Sequence, residues 1–206
     1  MESNFFLFND VVHSENKAGV GYHLCGPVLS PEQCDDIVDQ AVGWHTPILS
    51  QDDPRPNESY TNAKIGYVYL NEKSLPYYDI LTQHARRWND EYWHMDVLGV
   101  FECFDLIQYS APHGGMHWHF DLSTGGTTTA NRKVNIITQL SDPDDYEGGD
   151  LQLFVPHEKK DFPVVTAPKE KGSALVFPPW IAHRVTPVTK GVRTSVVTYL
   201  HGPPIC

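Results

Sequence analysis

Positive charge is scarce in this 206-residue chain: 15 Lys and Arg stand against 26 Asp and Glu, a formal charge of −11. No basic run exceeds two residues (Arg86-Arg87, Arg132-Lys133, Lys159-Lys160). So acidic a surface repels phosphate backbones unless its cations cluster, which disfavours a nucleic-acid partner. Cysteine is sparse too. Cys25, Cys34, Cys103 and Cys206 are scattered with no CxxC pair, which excludes a zinc ribbon or a thioredoxin-type motif. Free thiols in a reducing cytoplasm are the expectation for a chain of this size. Long apolar runs are missing, and nothing approaches the roughly 20 residues of a membrane helix. The opening MESNFFLFND has an acid at Glu2 and an apolar run of only Phe5 to Phe8, unlike a secretory leader. These absences predict a cytoplasmic protein with no membrane partner. They leave the oligomeric state open.

Apolar residues make up 40% of the chain, enough to bury one real core. The expectation is one domain over 1–206, with helical N-terminal support over about 1–98 and a β core over about 99–206. Ser30-Pro31-Glu32-Gln33 reads as a helix start: Ser30 as N-cap, Pro31 at the first helical position, Gln33 completing a capping box. Cys34, Ile37, Val38 and Ala41 follow at helical spacing, which predicts an amphipathic helix ending near Gly43. Residues 44–63 are proline-rich and polar and read as loop. A second helix is predicted from about Leu75 or Tyr77 to Met95, because Ile80, Leu81, Ala85, Trp88 and Tyr92 recur every three or four residues.

After Gly99 the texture changes to short β-rich runs between turn residues. Strands are predicted near 100–109, 117–121, 132–140, 151–155, 172–177, 182–188 and 192–200. Gly125-Gly126 and Gly148-Gly149 read as turns needing positive φ. Two helices followed by many short strands point to an α+β, mainly β domain of sandwich or jelly-roll type.

Within that region stands His117-Trp118-His119-Phe120-Asp121. Side chains alternate along a strand, so 117, 119 and 121 share a face. An imidazole and a carboxylate two residues apart reach one metal ion, and His183 is the candidate third ligand. Two His and one carboxylate form the facial triad of non-haem iron, which leaves positions open for other ligands. HxD alone arises by chance. The downstream block adds weight: Arg193 and Ser195 lie two apart on a predicted buried strand, where an Arg fork beside a hydroxyl suits a carboxylate. His117 is expected at the pocket rim, with lining the pocket or binding substrate as the alternative, His113 in solvent, and Trp180 in the core, with capping the pocket as the alternative.

These residues sit in stretches with a family resemblance: FDLIQY (Phe104 to Tyr109), HWHFD (His117 to Asp121), LSDPDDYEGGDL (Leu140 to Leu151) and GSALVFPPWIAHRVTPVTKGVRTSVVTYLHGPP (Gly172 to Pro204). In order and spacing they resemble the prolyl-4-hydroxylase-like branch of the iron(II)- and 2-oxoglutarate-dependent oxygenases. The resemblance implies a double-stranded β-helix (jelly roll) flanked by helices. It implies His119, Asp121 and His183 as iron ligands, with the HxD pair at a strand exit and His183 on a facing strand. Arg193 would bind the distal carboxylate of 2-oxoglutarate, with Ser195 beside it. Tyr109 would contact the cosubstrate or simply fill the core, and Gln139 occupies a strand position that touches the cosubstrate in relatives. Met116 departs from the tyrosine common in the family three residues before the first ligand. The implied activity uses Fe(II), 2-oxoglutarate and O2 to hydroxylate a C–H bond, releasing succinate and CO2. A peptidyl residue such as proline is the leading substrate, a free amino acid or other small metabolite the alternative. A third reading is a non-catalytic metal-binding β module.

Overall fold

The computed structural model describes residues 6–7, 21–47, 60–122, 130–155 and 164–203. Two helices and a set of antiparallel strands form the α+β architecture expected. The first helix, α1 (Pro31–Asp39), starts as the sequence dictates. The Ser30 side chain accepts from the Gln33 backbone N–H, and the Gln33 side chain reaches back to the Ser30 N–H. It stops at Asp39 rather than near Gly43, because Val42–His45 is drawn into a strand. The second helix, α2 (Leu75–Trp88), runs on into one π-helical turn at Asn89–Trp93. Asn89 closes that turn, its Nδ2 donating to the Met95 carbonyl at 2.8 Å and its Oδ1 accepting from the Met95 N–H at 3.1 Å.

The strands, in chain order, are β1 (Phe6–Leu7), β2 (His23–Pro27), β3 (Val42–His45), β4 (Tyr60–Thr61), β5 (Ala63–Val68), β6 (Gly99–Val100), β7 (Phe104–Ser110), β8 (Gly114–His119), β9 (Asn131–Gln139), β10 (Tyr146–Gly148), β11 (Leu151–Phe154), β12 (Val164–Thr166), β13 (Ser173–Phe177) and β14 (His183–Gly202). The larger sheet runs β2-β13-β9-β14-β7-β5-β3. The first 98 residues therefore supply strands as well as helices, and the stretch read as loop contributes β4 and part of β3 and β5. Gly125-Gly126 lie outside the described residues, whereas Gly148 and Gly149 take positive φ (75° and 63°) as expected.

The two strands predicted at 182–188 and 192–200 are one continuous strand, β14. Its first half pairs with β8, β10 and β11 in the smaller sheet; its second half pairs with β7 and β9 in the larger one. Gly191, at φ 72°, marks the corner. A strand that changes sheets in this way closes two sheets over one interior.

Alternation along the strands sorts the residues. Phe104, Leu106, Val134, Ile136, Ala174, Val176, Val196 and Leu200 face outward and bury under Cys34, Ile37, Tyr78, Leu81 and Ala85 of the helices. Ile107, Tyr109, Ile137, Leu175, Phe177, Val197 and Tyr199 face inward, where they meet Leu151, Leu153 and Val185 of the smaller sheet. Each fully buried Leu or Phe of the outer layer contributes about 1.5–3 kcal/mol. That layer holds rigid the strands carrying the interior groups.

Candidate metal centre and cosubstrate cavity

β8 ends at His119, and Asp121 lies just beyond it. The backbone N–H of Asp121 donates to the Pro179 carbonyl at 3.0 Å, so the turn before β14 holds the strand exit in place. His183 opens β14 and is the antiparallel register partner of His119. The third residue thus sits on the neighbouring paired strand rather than on a facing one. Register pairing places the two imidazoles with ring centroids 4.0 Å apart. His119 Nε2 lies 3.6 Å from Asp121 Oδ1, and His183 Nε2 lies 3.3 Å from Asp121 Oδ2. All three ligating atoms fall within 4.8 Å of one another.

Both rings are oriented alike. His119 Nδ1 is 2.8 Å from the His117 carbonyl, and His183 Nδ1 is 3.1 Å from the Ile181 carbonyl. A carbonyl only accepts, so each Nδ1 carries the proton and each Nε2 turns its lone pair toward the shared point. Burial and the nearby His183 push His119 down to about 4, against the pull of Asp121, so its ring is neutral at physiological pH. Burial works to raise Asp121, but His183, His119 and Arg132 outweigh it and hold the carboxyl below its ordinary value. Two imidazole Nε2 atoms and one carboxylate converging on a point are a donor set that fits a divalent transition metal.

Asp121 has a partner that the motif did not reveal. Asn135, fully buried on β9, donates from Nδ2 to Asp121 Oδ2 at 2.7 Å. A polar residue between Val134 and Ile136 was the available signal, since an amide amid apolar neighbours needs a reason to be there.

The triad closes one end of a cavity of about 390 Å³, counting its opening to solvent. At the other end Arg193 is 1% exposed. Its Nη1 donates to Ser195 Oγ at 3.2 Å, while Nε and Nη2 have no hydrogen-bond partner among the described residues. Burial lowers its pKa from the ordinary value, against the influence of Tyr146 and Tyr109. Gly149 makes room for it, because a Cβ there would come within 3.0 Å of the Arg193 side-chain stem. A buried guanidinium with two unused nitrogens is incomplete without an anion, and its fork matches a carboxylate. Tyr109 lines the same cavity, its ring centroid 5.9 Å from the guanidinium carbon. Ile107, Ile137, Leu151, Val185 and Val197 form the wall between the two ends. A triad at one end, an apolar middle and a cation at the other fit a dicarboxylate whose inner end reaches a metal.

The remaining sequence expectations divide. Ser195 and Met116 line the cavity; Met116 Sδ accepts from the Tyr109 hydroxyl at 3.7 Å. Gln139 is buried as the register partner of Ser195 but is not on the cavity wall, and its Oε1 has no partner among the described residues. His113 and His117 are exposed. Trp180, expected in the core, is 42% exposed because it sits at the tip of the turn before β14.

The profile of the 2OG-Fe(II) oxygenase superfamily matches residues 104–201. A PKHD-type hydroxylase of Colwellia psychrerythraea is 30% identical over 185 residues, 84% of this chain and 74% of that protein. One from Xanthomonas axonopodis pv. citri is 32% identical over 76 residues, 37% of this chain and only 31% of that protein. Among solved structures, a viral collagen prolyl hydroxylase from Paramecium bursaria Chlorella virus-1, in complex with 2-oxoglutarate, superposes with a TM-score of 0.64 at 17% identity, covering 89% of this chain and 97% of that one. A prolyl hydroxylase from Trichoplax adhaerens, bound to a peptide of a hypoxia-inducible factor, gives 0.67 at 18%, covering 88% and 84%. These likenesses carry the jelly-roll fold.

Proposed function

The chain belongs to the 2OG-Fe(II) oxygenase superfamily, and from that premise we propose that it is a dioxygenase hydroxylating a C–H bond of a peptidyl residue, proline foremost. The observation that carries the reading is the sharing of one cavity by the His119–Asp121–His183 triad and the buried, under-bonded Arg193. A bare metal-binding module has no use for such a cation at the far end.

In this reading His119 Nε2, His183 Nε2 and the Asp121 carboxylate hold iron(II). Iron(II) with 2-oxoglutarate and O2 supplies the oxidising power for C–H hydroxylation, the cosubstrate leaving as succinate and CO2. Arg193 grips the distal carboxylate of the cosubstrate by its fork, and Ser195 fixes the fork through Nη1. Tyr109 packs beside that carboxylate. The apolar wall excludes water along the cosubstrate chain and strengthens the electrostatic contacts at both ends. Asn135 holds Asp121 in one orientation, so the ligand enters coordination without first being ordered.

Peptide substrates are favoured because the named relatives are PKHD-type hydroxylases and prolyl hydroxylases, one of them bound to a peptide. A free amino acid or small metabolite is the alternative. No helix among the described residues is long and apolar enough to cross a membrane. A reducing compartment, the cytoplasm, fits Cys25, Cys34 and Cys103, all free thiols. The test is turnover of iron-loaded protein against peptide and amino-acid libraries, read as 2-oxoglutarate-dependent succinate and a mass gain of one oxygen. Absence of succinate, with no 2-oxoglutarate binding by the metal-loaded protein, overturns the proposal.

A further inference from the structure

Three carboxyl groups lie within electrostatic reach of one another, with Asp121 on the cavity wall, and two are accounted for. Asp121 accepts from Asn135 and faces the two imidazoles. Glu102 accepts from Arg132 Nε and faces His201 Nε2, both at 2.8 Å, and pairs with Arg132 Nη2 as well. Burial works to raise Glu102, but those two partners outweigh it and hold it at about 2. Asp105 is different. No hydrogen bond or ion pair reaches its side chain among the described residues, though it lies within electrostatic reach of Glu102, Arg132, Asp121 and His45.

Its direction follows from register. On β7, Phe104 and Leu106 face the helices, while Ile107 and Tyr109 face the cavity. Asp105 shares the parity of the second pair. Its cross-strand partners are Val197, which lines the cavity, and Tyr67. Beyond Tyr67 the wall continues as aromatic surface: Tyr67 and Tyr69 have ring centroids 6.2 Å apart, and His45 stacks on Tyr67 at 5.5 Å. Tyr69 is 47% exposed.

An aspartate here is costly. Val197 and Ile137 in the same row show that the wall accepts apolar side chains, whereas a partly buried carboxylate without a partner among the described residues opposes folding. Burial pushes the Asp105 carboxyl up to about 7, with Glu102 adding to the shift, so it stands ready to ionise when a cation arrives. Beside it the Tyr67 ring offers the kind of face that stabilises ammonium and guanidinium groups. The chain's net charge of −11 draws cations toward the protein.

We propose that Asp105, with Tyr67 beside it, is a substrate subsite for a cationic group, a primary ammonium or a guanidinium, held next to the metal triad. The proposal rests on the oxygenase reading and narrows its substrate class. Two sources share the chemistry: a Lys or Arg side chain near the hydroxylated residue of a peptide, or the ammonium of a free amino acid.

The test is equilibrium binding under anaerobic conditions to iron- and 2-oxoglutarate-loaded protein. One arm uses proline-centred decapeptides carrying Lys, Arg or norleucine at each flanking position. The other uses free L-leucine and L-norleucine against their Nα-acetyl forms, which lack the primary ammonium. Wild type should bind the cationic member of at least one arm about tenfold more tightly than its neutral match, the worth of a charge-assisted hydrogen bond. The arm that discriminates identifies the source. Asp105→Asn keeps shape and should abolish the preference; Asp105→Lys should reverse it toward Glu-flanked peptides. Absence of a cationic preference in wild type, including absence of all binding, overturns the proposal, as does a preference that survives in Asp105→Asn. The oxygenase reading is judged separately, by 2-oxoglutarate binding to the same protein without any probe.

Discussion

The two faces of the larger sheet are built from the same strands, yet they follow opposite rules. The outer face presents Phe104, Leu106, Val134, Ile136, Val196 and Leu200, all at most 1% exposed and packed under the helices. The inner face presents Tyr109, Asn135, Arg193 and Ser195 in equal burial, with unpartnered atoms on Asn135 and Arg193. Depth is the same on both sides; charge is not. The outer face buries apolar side chains and two neutral hydroxyls, Thr138 and Thr198, each with its Oγ1 unpartnered among the described residues, whereas the inner face buries a guanidinium. The outer face stabilises the fold, and the inner face gives up stability to bring together a His–Asp–His cluster that could hold a metal and a buried guanidinium.

That contrast is open to direct test. The largest effect is expected at the triad: Asp121→Ala should lose most metal affinity, by about 100-fold or more, since one of three ligands is gone. Calorimetric titration with Mn(II) or Co(II) reads this, and wild-type affinity in the variant would remove Asp121 from the centre. On the opposite face, Leu106→Ala should cost about 2–5 kcal/mol in denaturant unfolding while leaving metal affinity unchanged. A loss of metal affinity matching the loss of stability would show that the two faces are not separable.

Arg193→Ala should weaken 2-oxoglutarate binding by at least about tenfold with metal binding little altered, and Arg193→Lys should fall between, keeping charge without the fork. Equal binding by all three proteins would place the anion elsewhere. Asn135→Ala should reduce metal affinity by about tenfold, as removing a partner of a ligand does. Asn135→Asp should be no better, because it sets a second acceptor against Asp121.

The smallest expected effect is a pH slope. The carboxyl of Asp105 is raised to about 7 in the folded protein, so its contribution favours folding at low pH and is lost as pH rises through about 7. Metal-free wild type should therefore lose about 1 kcal/mol relative to Asp105→Asn between pH 6 and pH 8. Parallel stability curves for the two proteins would mean that Asp105 is not desolvated.

Much of this was legible before any coordinates. The start of α1 was readable from Ser30, Pro31 and Gln33 because capping is local chemistry. That His119, Asp121 and His183 converge, and that Arg193 is buried, was readable from spacing and resemblance. What was missed depends on pairing between distant segments. Asn135 had no motif, and its role exists only because β9 passes beside the exit of β8. The end of α1 and the strand at Val42–His45 were misjudged because β5 supplies the hydrogen bonds, and nothing local announces a neighbour. Trp180 was misplaced for a similar reason, since aromatic character predicts burial on average and turn geometry decides the instance.

The chain by itself thus determined which residue types were available and, through period-two alternation, which of them shared a face. Tertiary structure decided the register that set His183 against His119, the corner at Gly191 that let one strand serve both sheets, and the gap in pairing left at Asp105. The reason is physical: alternation and capping act over a few residues, whereas a converging His–Asp–His cluster, a buried guanidinium and a carboxylate unpaired among the described residues are made by segments that meet only after the core has closed.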